Sequence, residues 1–297
     1  MKIGAFGFVP LIFKISYDNI VYMNNLKHIF IRCVSALLVC VSLTLILSGC
    51  KPNSSNAPET TVSNTVTVMF PEGTSVSQIA VMLEQNGVCS SADFMVQANN
   101  PQNLEGFSFA IPNPDERTFL LEGYLFPDTY EFYKNENPES VIKRFLKNTQ
   151  TKLNDEILAE CEAMGFTLDE ILTLASIIQE EAGNPSEMNK VSSVLHNRLQ
   201  SKKYPRLQCD VATFYLRDYV KPYVDEVRYE TLSELYNTYK CDGLPAGPIT
   251  NSGIEAVKAA LFPEKTDYYY FVTDTEGVYY YAETWSEHLE NCEIAGL

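Results

Sequence analysis

The sequence has 297 residues, which is enough for one or two domains with a substantial hydrophobic core. Its 38 acidic residues outnumber its 22 basic residues and give a formal net charge of −16, which argues against nucleic acid and anionic lipid head groups as ligands. A neutral or cationic polymer is compatible with this charge.

The N-terminal region has the pattern of a secretory signal. Residues 33–47 are mostly apolar, follow the basic residues Lys27 and Arg32, and precede small residues. The run Leu47-Ser48-Gly49-Cys50 resembles the bacterial lipobox, in which the cysteine becomes the lipidated first residue. We therefore expect a signal peptide over residues 1–49 and a body outside the cytoplasm, anchored to the bacterial cell membrane as a lipoprotein through Cys50. The alternative is an uncleaved signal anchor with an incidental cysteine.

Two further expectations concern this region. Residues 1–22 fit a signal peptide poorly, so Met23 is a candidate for the true start. Residues 50–64 are rich in Ser, Asn and Thr, a composition that predicts a flexible tether.

Residues 65–105 are predicted to form a small LysM-like module. Residues 65–70 alternate in the manner of a strand, and residues 71–74 provide a turn. Residues 75–86 carry apolar side chains at helical spacing, and a second helix is expected to begin at Ser91. The module has two interpretations from this pattern, which are glycan binding and a simple spacer.

Residues 106–297 alternate between loop-rich and helical segments. Glu122 enters an apolar and aromatic run over residues 120–132, which Pro127 helps to end. Helices are predicted over residues 138–164, 168–182, 188–200, 211–215 and 254–261, and the strands of a hairpin over 268–272 and 278–281. Together with the first module, these elements predict an α+β fold.

The helix over residues 168–182 carries the most informative side chain. Thr167 and Glu170 have the spacing of a capping box at its start. Glu181 falls on the apolar stripe, whereas Glu180 falls on the polar side; the stripe consists of Ile171, Leu174, Ala175, Ile178 and Ala182. A carboxyl on an inward face is costly unless it is paired or protonated, so Glu181 is a candidate catalytic acid. The alternative is a structural ion pair with Arg198.

Six segments resemble, in order and spacing, the signature of a known family. They are LEGYLFPDTY over residues 121–130, ASIIQEE over 175–181, VLHNRL over 194–199, LQCD over 207–210, the stretch from YNTY to GLPAGPI over 236–249, and SEH over 286–288. They resemble the YceG-like (MltG) family of endolytic murein transglycosylases, membrane-attached enzymes that cut peptidoglycan within the glycan strand. By position, the resemblance implies that Glu181 is the catalytic glutamate.

The resemblance also implies the chemistry. Glu181 is expected to protonate the oxygen between MurNAc and GlcNAc and then to accept the proton of the MurNAc 6-hydroxyl, which leaves a 1,6-anhydro end. The activity is a lyase reaction that needs no cofactor and no metal, and peptidoglycan synthases are expected as partners. Residues 106–297 are thus expected to form a mixed α/β catalytic domain with the acid on a helix.

Other residues of the matching segments are candidates for substrate binding. They are Glu122, Asn197, Gln208, Asp210, Tyr236, Asn237 and Tyr239. The amides suit hydrogen bonds to sugar hydroxyl or acetamido groups, and the tyrosines suit stacking. Structural support is the alternative for each, including a pair of Arg198 with Asp210, and His196 and His288 are expected to be structural.

The cysteines and the departures from the family pattern add further expectations. Outside the cytoplasm a disulfide between Cys209 and Cys241 is a candidate, with free thiols as the alternative, and no spacing typical of a zinc site occurs. Gln179 stands where the family has its first glutamate, and Ala246 where it has a proline. A non-catalytic glycan-binding lipoprotein and a hydrolytic muramidase are therefore kept as rival functions.

Overall fold

The computed structural model of the protein describes residues 64–297. The predicted signal peptide, the lipobox Cys50 and the tether, apart from Asn64, lie outside the described residues. Among the helices of residues 64–297, none is long and apolar enough to cross a membrane.

The N-terminal part of the described chain is built from two strands and two helices. Strand β1 (Thr65–Met69) is followed by helices α1 (Val76–Gln85) and α2 (Ser91–Ala98), and it pairs antiparallel with strand β2 (Thr129–Tyr133). Ser75 caps α1 in a capping box and Ser90 caps α2. The predicted strand and both predicted helices are therefore confirmed, whereas β2 escaped prediction because its partner lies some sixty residues earlier in the chain.

The core of this part extends into the following helix, α3 (Pro138–Lys152). Alternation along the paired strands turns Val68 and Phe132 inward, and the aromatic rings of Phe70, Phe132 and Phe145 contact one another edge-on or tilted. Buried residues on both sides of position 105 thus belong to one hydrophobic core.

The predicted helical region over residues 138–164 is two helices. Helix α3 ends before Leu153, and Asn154 caps helix α4 (Asp155–Met164) by accepting a hydrogen bond from the backbone N–H of Ile157. Helix α4 ends at Gly165, whose φ of +77° is a left-handed conformation that glycine adopts without strain.

Helix α5 (Leu168–Glu181) lies at the centre of the fold. Its predicted capping box at Thr167 is present, and the predicted apolar stripe is buried. The side that carries polar residues is also largely covered, because Asp169, Thr173 and Ser176 are buried as well. Their polar atoms are satisfied inside the protein: Asp169 is paired with Arg117, and Ser176 accepts a hydrogen bond from the backbone N–H of Ile249 (3.0 Å).

The remaining elements surround α5. They are helices α6 (Met188–Gln200), α7 (Val211–Tyr215), α8 (Glu226–Tyr236) and α9 (Ile254–Leu261), the hairpin of β3 (Tyr270–Thr273) and β4 (Tyr279–Ala282), and helix α10 (Trp285–Ala295). Helices α8 and α10 were not predicted. Residues 64–297 thus combine ten α-helices with two separate two-stranded antiparallel sheets, which is an α+β architecture.

Candidate active site

A cavity of about 360 Å³ opens at the C-terminal end of α5. Its walls come from the end of α5, from α6, from the segment before α7, from β3 and from the start of α10. The lining residues are Glu181, Val194, Leu195, Arg198, Leu207, Gln208, Cys209, Asp210, Tyr239, Tyr269, Tyr270, Phe271, Trp285 and His288. The cavity therefore joins segments that are up to about a hundred residues apart in the sequence.

Glu181 is the last residue of α5, and the hairpin fixes the helix end. The hydroxyl of Tyr279 on β4 donates to the backbone carbonyl of Glu181 (2.9 Å) and accepts a hydrogen bond from the backbone N–H of Gly183 (2.8 Å). One side chain thus forms hydrogen bonds with a terminal carbonyl of the helix and with a backbone N–H just beyond the helix. The backbone that carries the candidate acid is held from both sides.

The partly buried carboxyl of Glu181 has a raised pKa. Burial disfavours the charged form and is the main reason that the pKa rises from 4.5 to about 7. A hydrogen bond from the Cys209 thiol lowers the pKa, and the negative charges of Asp210 and Glu180 raise it. Near neutral pH the side chain therefore exists in both its protonated and its ionised form, as a group that first gives and then takes a proton requires.

The ion pair considered for Glu181 is absent from the described part of the chain. Arg198 instead donates to the backbone carbonyls of Tyr269 (2.7 Å) and Arg206 (2.9 Å) and to the side-chain oxygen of Gln208 (2.7 Å). Its expected pairing with Asp210 is also absent from these contacts. Arg198 braces the loop before α7 against the hairpin. Within residues 64–297, no cationic side chain forms an ion pair with the carboxyl of Glu181.

The LQCD and YNTY segments lie side by side, as the prediction of a shared site requires. Gln208 has a left-handed backbone (φ +57°), and its N–H donates to the carbonyl of Thr238 (3.0 Å). The buried hydroxyl of Thr238 accepts from the N–H of Cys209 (2.9 Å) and donates to its carbonyl (2.8 Å). Asp210 accepts a hydrogen bond from the hydroxyl of Tyr239 (2.9 Å). Thr238 thus makes three of the hydrogen bonds between the two segments, and sequence reasoning passed over it although it stands inside the YNTY box.

Three of the seven candidate substrate-binding residues line the cavity, namely Gln208, Asp210 and Tyr239. Asn197, Asn237 and Tyr236 do not. Asn197 donates to the backbone carbonyls of residues 266 and 268, Asn237 accepts from the N–H of Tyr239, and the buried Tyr236 accepts from the N–H of residue 118. Their side chains thus form hydrogen bonds with the backbone of the protein itself.

Glu122, the seventh candidate, is buried away from the cavity. One of its oxygens accepts hydrogen bonds from the N–H of Val76 (3.0 Å) and the side-chain amide of Asn251 (3.1 Å), and the other accepts from the hydroxyl of Tyr215 (2.9 Å). Burial nevertheless dominates these three favourable contacts and raises the pKa of Glu122 to about 8. Glu122 joins the start of α1, the end of α7 and the loop before α9.

Gln179 and Glu180, the neighbours of the candidate acid, both face away from the cavity. The side-chain oxygen of Gln179 accepts a hydrogen bond from the N–H of Gly253 (3.0 Å), the capping residue of α9. An amide oxygen serves this acceptor role as well as a carboxylate does, so the departure at position 179 leaves the helix contact intact. Glu180 is exposed and packs against the turn at Gly73.

An aromatic wall is the part of the cavity that sequence reasoning missed. It consists of Tyr269, Tyr270, Phe271 and Trp285, together with His288, which stacks on Tyr270 (ring centroids 5.2 Å apart). The signal that could have revealed it is the single tryptophan of the chain, which stands directly before the SEH segment. His288, expected to be only structural, is part of this wall.

The five cysteines of the described residues are free. Cys209 is buried in the cavity wall with its thiol beside Glu181, and Cys241 is half-buried, so the alternative of free thiols holds for this pair. No group of three or more His, Cys, Asp or Glu side chains within residues 64–297 could hold a metal ion.

Comparisons with known proteins match this chain over most of its length. A family model described as the YceG-like family matches residues 51–294. The endolytic murein transglycosylase of Bacillus subtilis (strain 168) is 40% identical over 231 residues, which are 74% of this chain and 62% of the relative. The endolytic murein transglycosylase of Streptococcus pneumoniae serotype 2 is 31% identical over 178 residues, which are 58% of this chain and 32% of the relative. The chain thus spans less than two thirds of the length of either relative.

A solved structure has a similar fold. The crystal structure of a yceG-like protein from Listeria monocytogenes matches with a TM-score of 0.66 and 31% sequence identity, and the match covers 76% of this chain and 75% of that chain.

Proposed function

The chain belongs to the YceG-like family, and from that premise we propose that it is an endolytic lytic transglycosylase that cuts the glycan strands of peptidoglycan. Both curated relatives carry the name of this activity. The observation that carries the proposal for this chain is the Glu181 carboxyl, partly buried, without a cationic partner among the described residues, and with a pKa of about 7 in a cavity.

One carboxyl suffices for the proposed reaction. Protonated Glu181 donates its proton to the oxygen that links MurNAc to GlcNAc, and the bond from the MurNAc anomeric carbon to that oxygen breaks. The 6-hydroxyl of the same MurNAc then attacks the anomeric carbon, and its proton passes to the Glu181 carboxylate. The products are a free GlcNAc 4-hydroxyl and a 1,6-anhydroMurNAc end, and Glu181 regains its starting form.

The rival functions differ from this proposal in what the cavity must contain. A hydrolytic muramidase generally uses a second carboxyl as nucleophile or base. Glu122 lies outside the cavity, and Asp210, which lines it, is exposed and bonded to the Tyr239 hydroxyl. A non-catalytic glycan-binding protein gains nothing from a cavity carboxyl whose pKa is raised to about 7.

The finer parts of the proposal concern the N-terminal regions and the partners. We propose that residues 65–105 form a LysM-like glycan-binding module, because β1, a turn, α1 and α2 follow one another there. We propose that the chain is an extracytoplasmic lipoprotein anchored through Cys50, and that it releases or terminates nascent strands beside peptidoglycan synthases.

Product analysis tests the central proposal. Purified glycan strands are digested with the wild-type protein, and the new ends are identified by mass spectrometry. We expect 1,6-anhydroMurNAc ends. Reducing MurNAc ends would establish hydrolysis instead, and intact strands would leave only a binding function.

A further inference from the structure

Trp285 is the only tryptophan in the sequence and the most exposed aromatic residue that lines the cavity. It begins helix α10, and 55% of its surface is exposed, compared with 42% for Tyr239 and 8% for Tyr270. Its ring contacts those of Tyr270 (centroids 5.7 Å apart) and His288 (5.3 Å). A large aromatic face is thus presented at the rim of the cavity.

The Tyr270 ring that Trp285 contacts is itself packed against two further side chains. The guanidinium of Arg198 lies 5.1 Å from the centre of that ring, and the imidazole of His288 stacks on it nearly in parallel, at 21°. Arg198 is itself fixed by backbone carbonyls. A supported ring of this kind binds with little loss of side-chain freedom, because its position is set before a ligand arrives.

The backbone of Trp285 is also fixed relative to Glu181. Thr284 caps α10 in a capping box with Glu287, and Tyr270 on β3 pairs with residue 282 on β4. The same strand β4 carries Tyr279, whose hydroxyl bonds the backbone of Glu181. The hairpin therefore contacts both the aromatic rim and the backbone of Glu181, and it fixes the position of one relative to the other.

We propose that Trp285 is the stacking platform of a sugar subsite next to Glu181, where it binds the apolar C–H face of a pyranose ring of the glycan strand. This subsite rests on the proposed function, because it names how that substrate is held. The cavity offers carboxyl and amide groups for the hydroxyl edge of a sugar and, at Trp285, an apolar surface for its face. Stacking needs no charge on the ligand, which suits a neutral polysaccharide and a strongly acidic protein.

A binding experiment tests the subsite without any cleavage. The Glu181→Gln variant is titrated with an oligomer of β-1,4-linked N-acetylglucosamine, and tryptophan emission is recorded. Because the chain has one tryptophan, the signal reports position 285. We expect a saturable shift of the emission maximum to shorter wavelength. Binding detected by calorimetry with no change in emission would overturn the proposal, and so would the absence of binding.

A kinetic experiment provides the second test. We expect Trp285→Ala to raise KM for glycan strands roughly ten-fold and to leave kcat within about two-fold, because a stacked ring contributes to binding rather than to proton transfer. Trp285→Phe keeps a smaller aromatic face and should retain most of the affinity. Phe262→Ala removes an exposed aromatic residue that does not line the cavity and serves as the matched control.

The outcomes separate the subsite from the proposed function. A wild-type KM in Trp285→Ala, with anhydro products still formed, would overturn the subsite and leave the proposed function in place. An emission shift on oligomer binding, with no anhydro products from the wild type, would overturn the proposed function but keep a sugar site at Trp285. If Trp285→Ala does not fold, Trp285→Phe and the emission titration decide.

Discussion

Glu122 and Glu181 carry the same side chain in two different surroundings. Burial is the main cause of the raised pKa at both, which reaches about 8 for Glu122 and about 7 for Glu181. Glu122 is closed off from solvent and receives three hydrogen bonds, whereas Glu181 faces a cavity and receives a weak one from a thiol. A raised pKa alone therefore does not distinguish the two glutamates; access to the cavity and unused hydrogen-bonding capacity are what make Glu181 the proposed catalytic acid.

The largest expected difference between the two sites is in the rate of glycan cutting, and the same Glu→Gln substitution at each site measures it. Glu181→Gln should reduce glycan cutting by about 10²–10⁴-fold, because the amide cannot transfer a proton. Glu122→Gln should cut at close to the wild-type rate. Release of soluble fragments measures the rate, and circular dichroism checks that both variants fold. Strong cutting by Glu181→Gln would remove that residue from the proposed role.

The next largest effect is on stability, and here we expect the larger loss at Glu122 and the smaller one at Glu181. Glu122→Ala leaves the donors of Val76, Asn251 and Tyr215 without their shared acceptor, and we expect it to cost about 2–4 kcal/mol of unfolding free energy. Glu181→Ala should cost less, because its side chain faces the cavity. Urea unfolding measures both values. Equal losses at the two positions would end the distinction between a structural and a functional carboxyl.

A third effect is the pH dependence of stability. The pKa of Glu122 is raised in the folded protein from 4.5 to about 8, so the folded state binds the proton more tightly than the unfolded state does. Its contribution is fully present below pH 4.5 and is lost as the pH rises through 8. Unfolding free energy measured from pH 4.5 to 8 should therefore fall less steeply in Glu122→Gln than in the wild type. Parallel curves for the two proteins would contradict this assignment.

The smallest effect concerns the thiol beside the acid. The Cys209 hydrogen bond stabilises ionised Glu181, so Cys209→Ala should raise the pKa of Glu181 and move the alkaline limb of the kcat/KM profile to higher pH. Cys209→Ser restores a donor and should move that limb back. The pH profiles of the three proteins measure this effect. An unshifted limb in Cys209→Ala would show that the thiol does not act on the acid.

Local sequence pattern predicted most of the helices, and with them the placement of Glu181 at the inward-facing end of α5. The capping box at Thr167 and the apolar stripe located α5, and the stripe separated Glu181 from Glu180. Both signals are local, because capping and helical periodicity are properties of a single segment. The bounds predicted for residues 188–200 and 254–261 agree with α6 and α9.

What the sequence did not reveal depends on contacts between distant segments. Strand β2 is defined by pairing with β1, and the buried Asp169 requires Arg117, which lies 52 residues earlier. Glu122 stands in a family motif, yet only the packing of α1, α7 and residue 251 places it outside the cavity. The aromatic wall forms because the hairpin lies against α6 and α10, which no periodicity within the hairpin indicates.

The hydrogen bond from Tyr279 to Glu181 has a consequence for the order in which the cavity is assembled during folding. Until the hairpin has docked, helix α5 lacks the hydroxyl that bonds its last carbonyl, and the cavity lacks its aromatic wall. The proposed function therefore depends on the docking of the hairpin as well as on the formation of helix α5.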